Sequence, residues 1–403
     1  MVAKERLFLV IQLVFAAVLL VASYGYVDLN LTLSSNPFLL SAVKYLQYFA
    51  YYQRPLATSI YVAFLLLWFS FFTLEIYLFY KKKLGLRFLS FSVLFSVLIL
   101  IFAYPYLSSD LFNYMFDAKI IYFYHQSPYL YKPLDFPGDD WLRFMRWVHR
   151  YSPYGPLWLA FSLFPTILGF GKFVTTLLAF KIVIGSFQAI NAYLVYIIVK
   201  KIDAPKATLA AAMYGLNPLF LIEGVANAHN DIVLAFCLLL SIYFAVYRKK
   251  LYSYLSLTFG IFIKYIPVLI APWLIFYNLK PQNNFRKMVF LSFATMALFT
   301  FVYSSIKISV PFVSGGSTQV QFQPWYLFWT LPLLTLVPST AAFLLIILLG
   351  FFASLRYYPY LINGDWSQPG TIVFLKYVVI IPIILFLVLI IIKNGHKYLK
   401  NKN

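Results

Sequence analysis

The sequence is poor in acidic residues and almost free of cysteine. Only 12 of its 403 residues are Asp or Glu, and Cys237 is the single cysteine. One cysteine excludes a framework of intrachain disulfide bonds. The histidines, at positions 125, 149, 229 and 396, are scattered and lack the paired spacing of zinc ligands. A Cys/His zinc site is therefore not indicated, whereas a divalent metal bound in another way stays open.

Sequence motifs for nucleotide binding and for serine hydrolases are also missing. The chain has no Walker loop, no G-x-G-x-x-G and no G-x-S-x-G elbow. An activated substrate must therefore be bound by other means. Carboxylates, cationic side chains and aromatic rings remain as the groups that can carry out chemistry.

Apolar residues dominate what is present. The chain is 63% hydrophobic and 21% aromatic, and its mean hydropathy is +0.81. Such values lie far outside those of soluble domains. Apolar runs recur from residue 7 to residue 392. We therefore predict one all-α polytopic membrane domain over residues 1–403, embedded in the lipid bilayer, with about 10 to 13 transmembrane or re-entrant helices of about 20 residues each at full length.

The first apolar run, roughly residues 7–26, is predicted to be a retained span. It has no small-residue cleavage site, and it is longer than the apolar core of a signal peptide. The other simple spans are predicted at residues 57–80, 88–107, 174–199, 206–222, 230–247, 287–306 and 372–392.

Basic residues punctuate these runs, so the net charge of +20 does not indicate a nucleic-acid partner. The positive-inside rule assigns the basic clusters to the cytoplasm. They lie at residues 4–6, 81–87, 200–206, 248–250, 280–287 and 393–402. Both termini are then cytoplasmic, and the loop 108–153 is extracytoplasmic in the cell membrane.

Three apolar segments do not fit a simple crossing. A full crossing by residues 154–170 would place the next basic clusters outside, so we predict a re-entrant or interfacial helix there. Residues 251–279 are predicted to break near Lys264, and residues 325–355 at Pro332 and Pro338. Interrupted helices at membrane depth are tolerated where they line a cavity, which favours a site near both breaks.

Two polar segments far apart in sequence are predicted on the same outer side. One carries Asp110 and Asp117, and the other is "EGVANAHNDI" at residues 223–232. Carboxylates can take the proton of an acceptor hydroxyl, cations can stabilise a departing phosphate, and aromatic faces can hold sugars and a lipid tail. The set favours transfer of a sugar from a lipid phosphate.

Four segments carry a family resemblance over more than half of the chain. They are "SSDLFNYMFDAKI" (108–120), "SPYL" (127–130) with "SPYGPLW" (152–158), "NAHND" (227–231) and "QPWYLFWTLPLL" (323–334). In this order they resemble the GT-C class of membrane glycosyltransferases, particularly its polyprenyl-phosphate-mannose-dependent mannosyltransferases. The resemblance implies Asp110 as the catalytic residue, a polyprenyl-phosphate sugar as donor with mannose as the sugar, and an inverting transfer. It also implies a glycan, lipid or protein acceptor.

The sequence departs from many of these relatives in two respects. Their second acidic residue beside the catalytic aspartate is replaced here by Leu111 and Phe112, and three spans rather than one precede the loop. The candidate catalytic residues are Asp110, Asp117, His229 and Asp231. The candidate substrate-binding residues are Arg143, Arg146, Arg150, Tyr154, Asn230, Lys264, Gln323, Trp325 and Tyr326.

Structural roles compete with these assignments. Asp110 after Ser108 and Ser109, and Asn230 or Asp231 before a span, fit helix N-caps as well as a site. Asp135, Asp139 and Asp140 flank a Pro-Gly pair and fit a solvated turn.

Structural roles are also alternatives for the cationic and aromatic site residues. Arg143, Arg146 and Arg150 recur at a helical spacing and fit either lipid anchors or a donor-phosphate clamp. Lys264 fits either a phosphate ligand or a side chain that snorkels, and the tryptophans of residues 323–334 fit an interfacial belt or a stacking surface. A transporter or lipid flippase is the rival function, because it would use the same groups inside a cavity.

Overall fold

The computed structural model describes residues 3–27, 35–281, 284–303, 307–308, 318–319 and 321–400. Within these residues the regular structure is helical apart from two short strands, Lys307–Ile308 and Thr318–Gln319, which pair antiparallel. The α-helices are α1 (Ala3–Ser23), α2 (Pro37–Tyr52), α3 (Arg54–Tyr80), α4 (Leu86–Leu100), α5 (Asp110–Tyr122), α6 (Pro156–Leu168), α7 (Phe173–Ile202), α8 (Ala207–Gly215), α9 (Pro218–Phe220), α10 (Asp231–Val246), α11 (Lys250–Ile263), α12 (Ala271–Leu279), α13 (Phe285–Tyr303), α14 (Leu331–Thr335), α15 (Thr340–Ser354), α16 (Tyr358–Asn363) and α17 (Thr371–Lys400).

The length and composition of the helices fit a membrane. Among the described residues, six helical stretches are long and apolar enough to cross a bilayer: Lys4–Tyr26, Arg54–Tyr80, Phe173–Ile202, Phe285–Val302, Thr340–Asn363 and Thr371–Asn394. A seventh candidate is the pair Ala204–Gly215 and Pro218–Ala226, which is bent by 47°. Shorter apolar helices fill much of the remainder. The prediction of an all-α polytopic membrane protein is confirmed.

Both predicted helix breaks are present. The chain leaves α11 at Ile263, passes Lys264, forms a 3-10 turn over Ile266–Ile270 and continues as α12. The second break consists of a 3-10 helix, Pro324–Trp329, followed by the five residues of α14. Proline lacks an N–H donor and fits the first turn of a helix best, and a proline lies at each of the two breaks.

Helix α6 does not behave as a simple crossing. Its 13 residues span about 20 Å, less than the hydrocarbon core of a bilayer. Both of its ends border α5: Trp158 packs edge-on against Tyr114, and Gly171 lies against the ring of Phe123. Gly155 donates its N–H to the carbonyl of Ile263 at 3.0 Å. These contacts pack α6 against α5 and against the break after α11, and its re-entrant or interfacial position stays a prediction.

Two features of the membrane domain differ from the prediction. Helix α2, between the first two predicted spans, was missed; Asn36 caps it by accepting from the N–H of Phe38 at 2.9 Å. The prediction that Arg143, Arg146 and Arg150 share one face of a helix is wrong. Residues Asp140–Phe144 form only a 3-10 helix, and residues 145–155 are not helical. Short 3-10 turns seldom continue, and Pro153 disfavours helix before it.

The charged and polar residues that border the helices lie at two opposite ends of the protein. Helix α10 starts at Asp231 and ends just before the basic residues 248–250, about 24 Å away along its axis. At the end where α10 finishes, Asp203, Lys206 and Arg286 line one hollow. Asp110, residues 227–231 and Lys264 share the other end, which we call the site end.

We predict that the site end is extracytoplasmic, because the basic clusters concentrate at the opposite end. In a Cys237→Ser background, single cysteines at exposed positions 140 and 367 should react with a membrane-impermeant maleimide in intact cells. Cysteines at positions 206 and 249 should react only after permeabilisation. Labelling of position 206 in intact cells would contradict both the topology and the re-entrant assignment of α6.

Candidate active site

The site end is formed where four irregular segments meet. They are the first turn of α5, the chain between α9 and α10, the break after α11, and the 3-10 helix Pro324–Trp329. Their polar side chains converge although they are separated by up to about 220 positions in the sequence. Irregular backbone at such a place is typical of membrane proteins in which the break lines a site.

Asp110 is the first residue of α5. Its N–H donates to the Ser108 hydroxyl at 3.3 Å, and the N-cap residue Ser109 makes no side-chain capping bond. The carboxylate is 20% exposed and points towards His229, whose Nδ1 lies 3.7 Å from Oδ2. The positive end of the α5 dipole favours negative charge at this position.

The segment before α10 is irregular throughout. Residues Leu221–Ala226 form a π-helix, and Ala228 adopts a left-handed conformation with φ of 53°. This geometry turns the chain back on itself, so that the N–H of His229 donates to the Glu223 carbonyl at 3.0 Å. The buried Lys181 of α7 donates to the carbonyls of Val225 and Ala226. π-Turns and strained non-glycine residues are concentrated at functional sites.

His229 is completely buried between two carboxylates. Its Nε2 lies 3.4 Å from Oε2 of Glu223, opposite the contact with Asp110. Trp325 stacks on the imidazole with ring centroids 3.9 Å apart. Glu223 also accepts from the Tyr357 hydroxyl at 3.0 and 3.2 Å and from the Asn227 amide at 3.1 Å. The side chains of Glu223, His229 and Asp110 therefore form a row of polar groups that is buried except at Asp110.

Asp231 and Lys264 form the second polar pair. The ammonium of Lys264 donates to both oxygens of Asp231, at 2.9 and 3.1 Å, and Trp329 donates its indole N–H at 2.6 Å. Lys264 is 22% exposed and lies over the Trp329 ring, 5.4 Å from its centroid. Lys264 is therefore held at the site by a buried carboxylate and an aromatic face rather than reaching towards the membrane surface.

Aromatic side chains enclose these pairs. Tyr326 stacks on Trp329 at 4.3 Å between centroids, and Tyr154 packs edge-on against Tyr114 at 4.9 Å. Tyr114 donates its hydroxyl to the side-chain oxygen of Asn230 at 3.2 Å. Trp329 is almost completely buried, so it is not part of an interfacial belt.

Burial and nearby charge act in opposite directions on Asp110. Burial raises the pKa of its carboxyl above the ordinary value, and the adjacent His229 and then Lys264 offset only part of this effect. Asp117, on the same helix, is buried without a cation beside it, and burial raises its pKa to about 7 despite the lowering effect of the Ser152 hydroxyl. Two aspartates on one short helix therefore have different electrostatic surroundings.

Several of the predicted substrate-binding residues lie outside this cluster. Arg143 lies over Phe144, Arg146 donates to the Tyr360 hydroxyl at 2.7 Å, and Arg150 lies over Trp147. Arg150 is close enough to act electrostatically on Asp110. Gln323 is the residue before the 3-10 helix, and its carbonyl accepts from the N–H of Tyr326 at 3.0 Å.

The acids of the predicted turn have structural partners. Asp139 forms a 2.6 Å ion pair with Lys119 and caps the N–H of Trp141. Asp135 accepts from the N–H of Lys132 at 2.9 Å, and Asp140 is exposed. Asp135 and Asp140 therefore fit the predicted solvated turn, whereas Asp139 is buried and the solvated interpretation is wrong for it.

Glu223 and Tyr357 were not among the predicted site residues, and Trp329 was considered only as a belt or stacking residue. A signal for Glu223 existed, because it is one of 12 acids and lies in an apolar run six residues before His229. Trp329 lies in a segment that had been noted, whereas nothing in the sequence marks Tyr357 among 34 tyrosines. Over the described ranges, no group of three or more His, Cys, Asp or Glu side chains is arranged to hold a metal ion.

Comparisons with known proteins bear on this geometry. No curated protein and no solved structure matches the chain. Residues 10–280, about two thirds of the chain, match the family described as "Alpha-(1->6)-mannopyranosyltransferase, N-terminal domain". The matched region contains Asp110, Glu223, His229, Asp231 and Lys264. The chain therefore belongs to the alpha-(1->6)-mannopyranosyltransferase family and is a membrane glycosyltransferase.

Proposed function

We propose that the protein transfers mannose from a polyprenyl-phosphate donor to a hydroxyl of an extracytoplasmic or lipid-linked acceptor, with inversion at the anomeric carbon and with Asp110 as general base. The observation that supports this most directly is the setting of Asp110. Its carboxylate is partly exposed at the site end, next to buried His229 and within electrostatic range of Lys264. A base, a fixed cation and aromatic walls are therefore combined in one place.

The chemistry needs a base because an acceptor hydroxyl has a pKa far above neutrality. In the proposed step the hydroxyl oxygen bonds to C1 of mannose while the bond from C1 to the phosphate oxygen breaks. The hydroxyl proton passes to Asp110, and polyprenyl phosphate leaves with the bonding electrons. An α product formed by one such displacement requires a β-linked donor.

The leaving phosphate gains negative charge, which a fixed cation stabilises. Lys264 fits this role because Asp231 and Trp329 fix its ammonium group while leaving 22% of the side chain exposed. Arg150 is the second candidate, since its charge reaches Asp110. Trp325, Tyr326 and Tyr154 supply aromatic surface for the sugar.

The general base is tested by replacing Asp110 with Asn, which keeps the size of the side chain but cannot accept the proton. We expect Asp110→Asn to lower transfer of labelled mannose from polyprenyl-phosphate mannose by about 10²- to 10⁴-fold, with normal expression and folding. Asp140→Asn, in the exposed part of the same loop, is the matched control and should transfer normally. Asp117→Asn should retain a measurable fraction. Transfer by Asp110→Asn close to that of the wild type would mean that the base lies elsewhere.

The raised pKa of Asp117 leads to a separate prediction about stability. Its folded pKa of about 7 exceeds the ordinary value of 3.8, so the folded state holds the extra proton between about pH 4 and pH 7. Stability therefore falls as pH rises through this window, by up to about 4 kcal/mol for this group. Asn mimics the protonated acid and does not titrate.

Asp117→Asn should thus be as stable as the wild type near pH 4 and clearly more stable at pH 8, measured by thermal unfolding in detergent. Asp140→Asn serves as the exposed control and should show no such pH-dependent gain. An equal difference between Asp117→Asn and wild type at both pH values would contradict the assigned pKa.

A further inference from the structure

Glu223 is the buried acid of the site that the proposed reaction leaves without a task. It lies in the π-helix, its carboxylate is fully buried, and His229 stands between it and Asp110. It therefore cannot take the proton of an acceptor hydroxyl directly. Its contacts instead lead through His229 to the proposed base.

His229 lies directly between two carboxylates. Each ring nitrogen faces a carboxylate oxygen, Nδ1 at 3.7 Å from Asp110 and Nε2 at 3.4 Å from Glu223. A neutral imidazole presents an N–H to only one of these carboxylates, whereas an imidazolium presents one to each. Neither ring nitrogen makes a hydrogen bond in the described structure, so the contact between His229 and the two carboxylates is electrostatic. Trp325 covers one face of the ring at 3.9 Å between centroids, where an aromatic face also favours a cation.

The side chain of Glu223 is met by two hydrogen-bond donors. Its oxygens accept from the Tyr357 hydroxyl and from the Asn227 amide. Hydrogen bonds donated to a carboxylate stabilise the charged state, and a buried charge also requires a nearby counter-charge. His229 is the cationic group in direct contact with it.

We propose that Glu223 is a positioning residue that holds a proton on His229, so that the imidazolium keeps Asp110 ionised at neutral pH. This inference rests on the proposed role of Asp110 as general base. A positive charge within about 4 to 6 Å favours a carboxylate and so opposes the effect of burial on Asp110. Lys264 is less free to do so, because it is already paired with Asp231 at 2.9 Å.

Other groups face these side chains and have to be held constant. Around Asp110 they are Lys264, Asp231, Arg150, Tyr114 and Tyr154, and around Glu223 they are Tyr357, Arg356, Tyr61 and Tyr106. None of these groups is altered in Glu223→Gln, in His229→Gln or in the double variant. The effect is therefore assigned to the path from Glu223 through His229 to Asp110.

The test is the pH dependence of kcat for mannosyl transfer, measured on the full-length protein with saturating polyprenyl-phosphate mannose. Glu223→Gln should move the acid limb of the profile to higher pH by about one unit or more. Activity should fall about tenfold at a pH on that limb and recover as pH rises. His229→Gln should move the limb in the same direction, and the double variant should move it no further than His229→Gln alone, because Glu223 acts through His229.

A second buried glutamate provides the matched control. Glu75 of α3 is fully buried, and in the described part of the chain neither of its carboxylate oxygens has a hydrogen-bond partner. Glu75→Gln replaces another buried glutamate, away from the site, and should leave the acid limb in place. Should Glu223→Gln unfold, Tyr357→Phe removes one donor to Glu223 and should give a smaller shift in the same direction.

The outcomes separate this inference from the proposed function. An acid limb that stays in place in a folded Glu223→Gln, or moves to lower pH, overturns the inference while leaving an inactive Asp110→Asn as support for the base. Additive shifts in the double variant also overturn it. Near wild-type transfer by Asp110→Asn would instead overturn the proposed function.

Discussion

The structure of the site depends on one constraint: charged groups in an apolar protein have to be paired. Uncompensated charge at membrane depth is expensive, and Asp231, Glu223 and Asp110 each have a partner within reach. Asp231 accepts from Lys264 and from the Trp329 indole, and Glu223 accepts from Tyr357 and Asn227. Asp110 is the member of this group with substantial exposure, since a fifth of its side chain is open. The charge that remains accessible is therefore the one proposed to meet the substrate.

The irregular backbone explains how such pairs arise from distant parts of the chain. A regular helix presents side chains sideways to its neighbours, whereas a break or a π-turn aims them along the helix axis. Ala228, with its positive φ, lets His229 turn back over Glu223. The break after Ile263 brings Lys264 to the first residue of α10. Each irregularity coincides with a contact of the site, which is where strain is usually retained.

Much of the architecture could be predicted from the sequence because bilayer thickness and the positions of basic residues impose strong regularities. Apolar runs predicted the long helices, the position of Lys264 within an apolar run predicted the first break, and Pro332 and Pro338 predicted the second. Helix α2 was missed because its start depends on one capping residue, Asn36, rather than on hydrophobic length. The arginine helix was wrong because a spacing of three and four residues does not ensure helix where the apolar face is missing and a proline follows.

The site could be predicted only in part. Asp110, His229, Asp231 and Lys264 were found because a charge next to an apolar span is costly and therefore informative. Their pairing was not foreseen, since it depends on which helices become neighbours. Tyr357 lies 134 positions from Glu223, and no local pattern connects them. Asp117 shares a helix face with Asp110, yet it lies in a different environment, which only packing decides.

The proposed donor site, the base Asp110 and the cation Lys264 all lie at the site end. A cryo-electron microscopy structure of the protein in a lipid nanodisc with bound polyprenyl-phosphate mannose tests this most directly. We expect the phosphate within hydrogen-bond distance, about 3 Å, of Lys264 or Arg150, with the mannose C1 facing the space next to Asp110. A donor phosphate bound at the opposite end near Lys206 and Arg286, or a C1 turned away from Asp110, would contradict it.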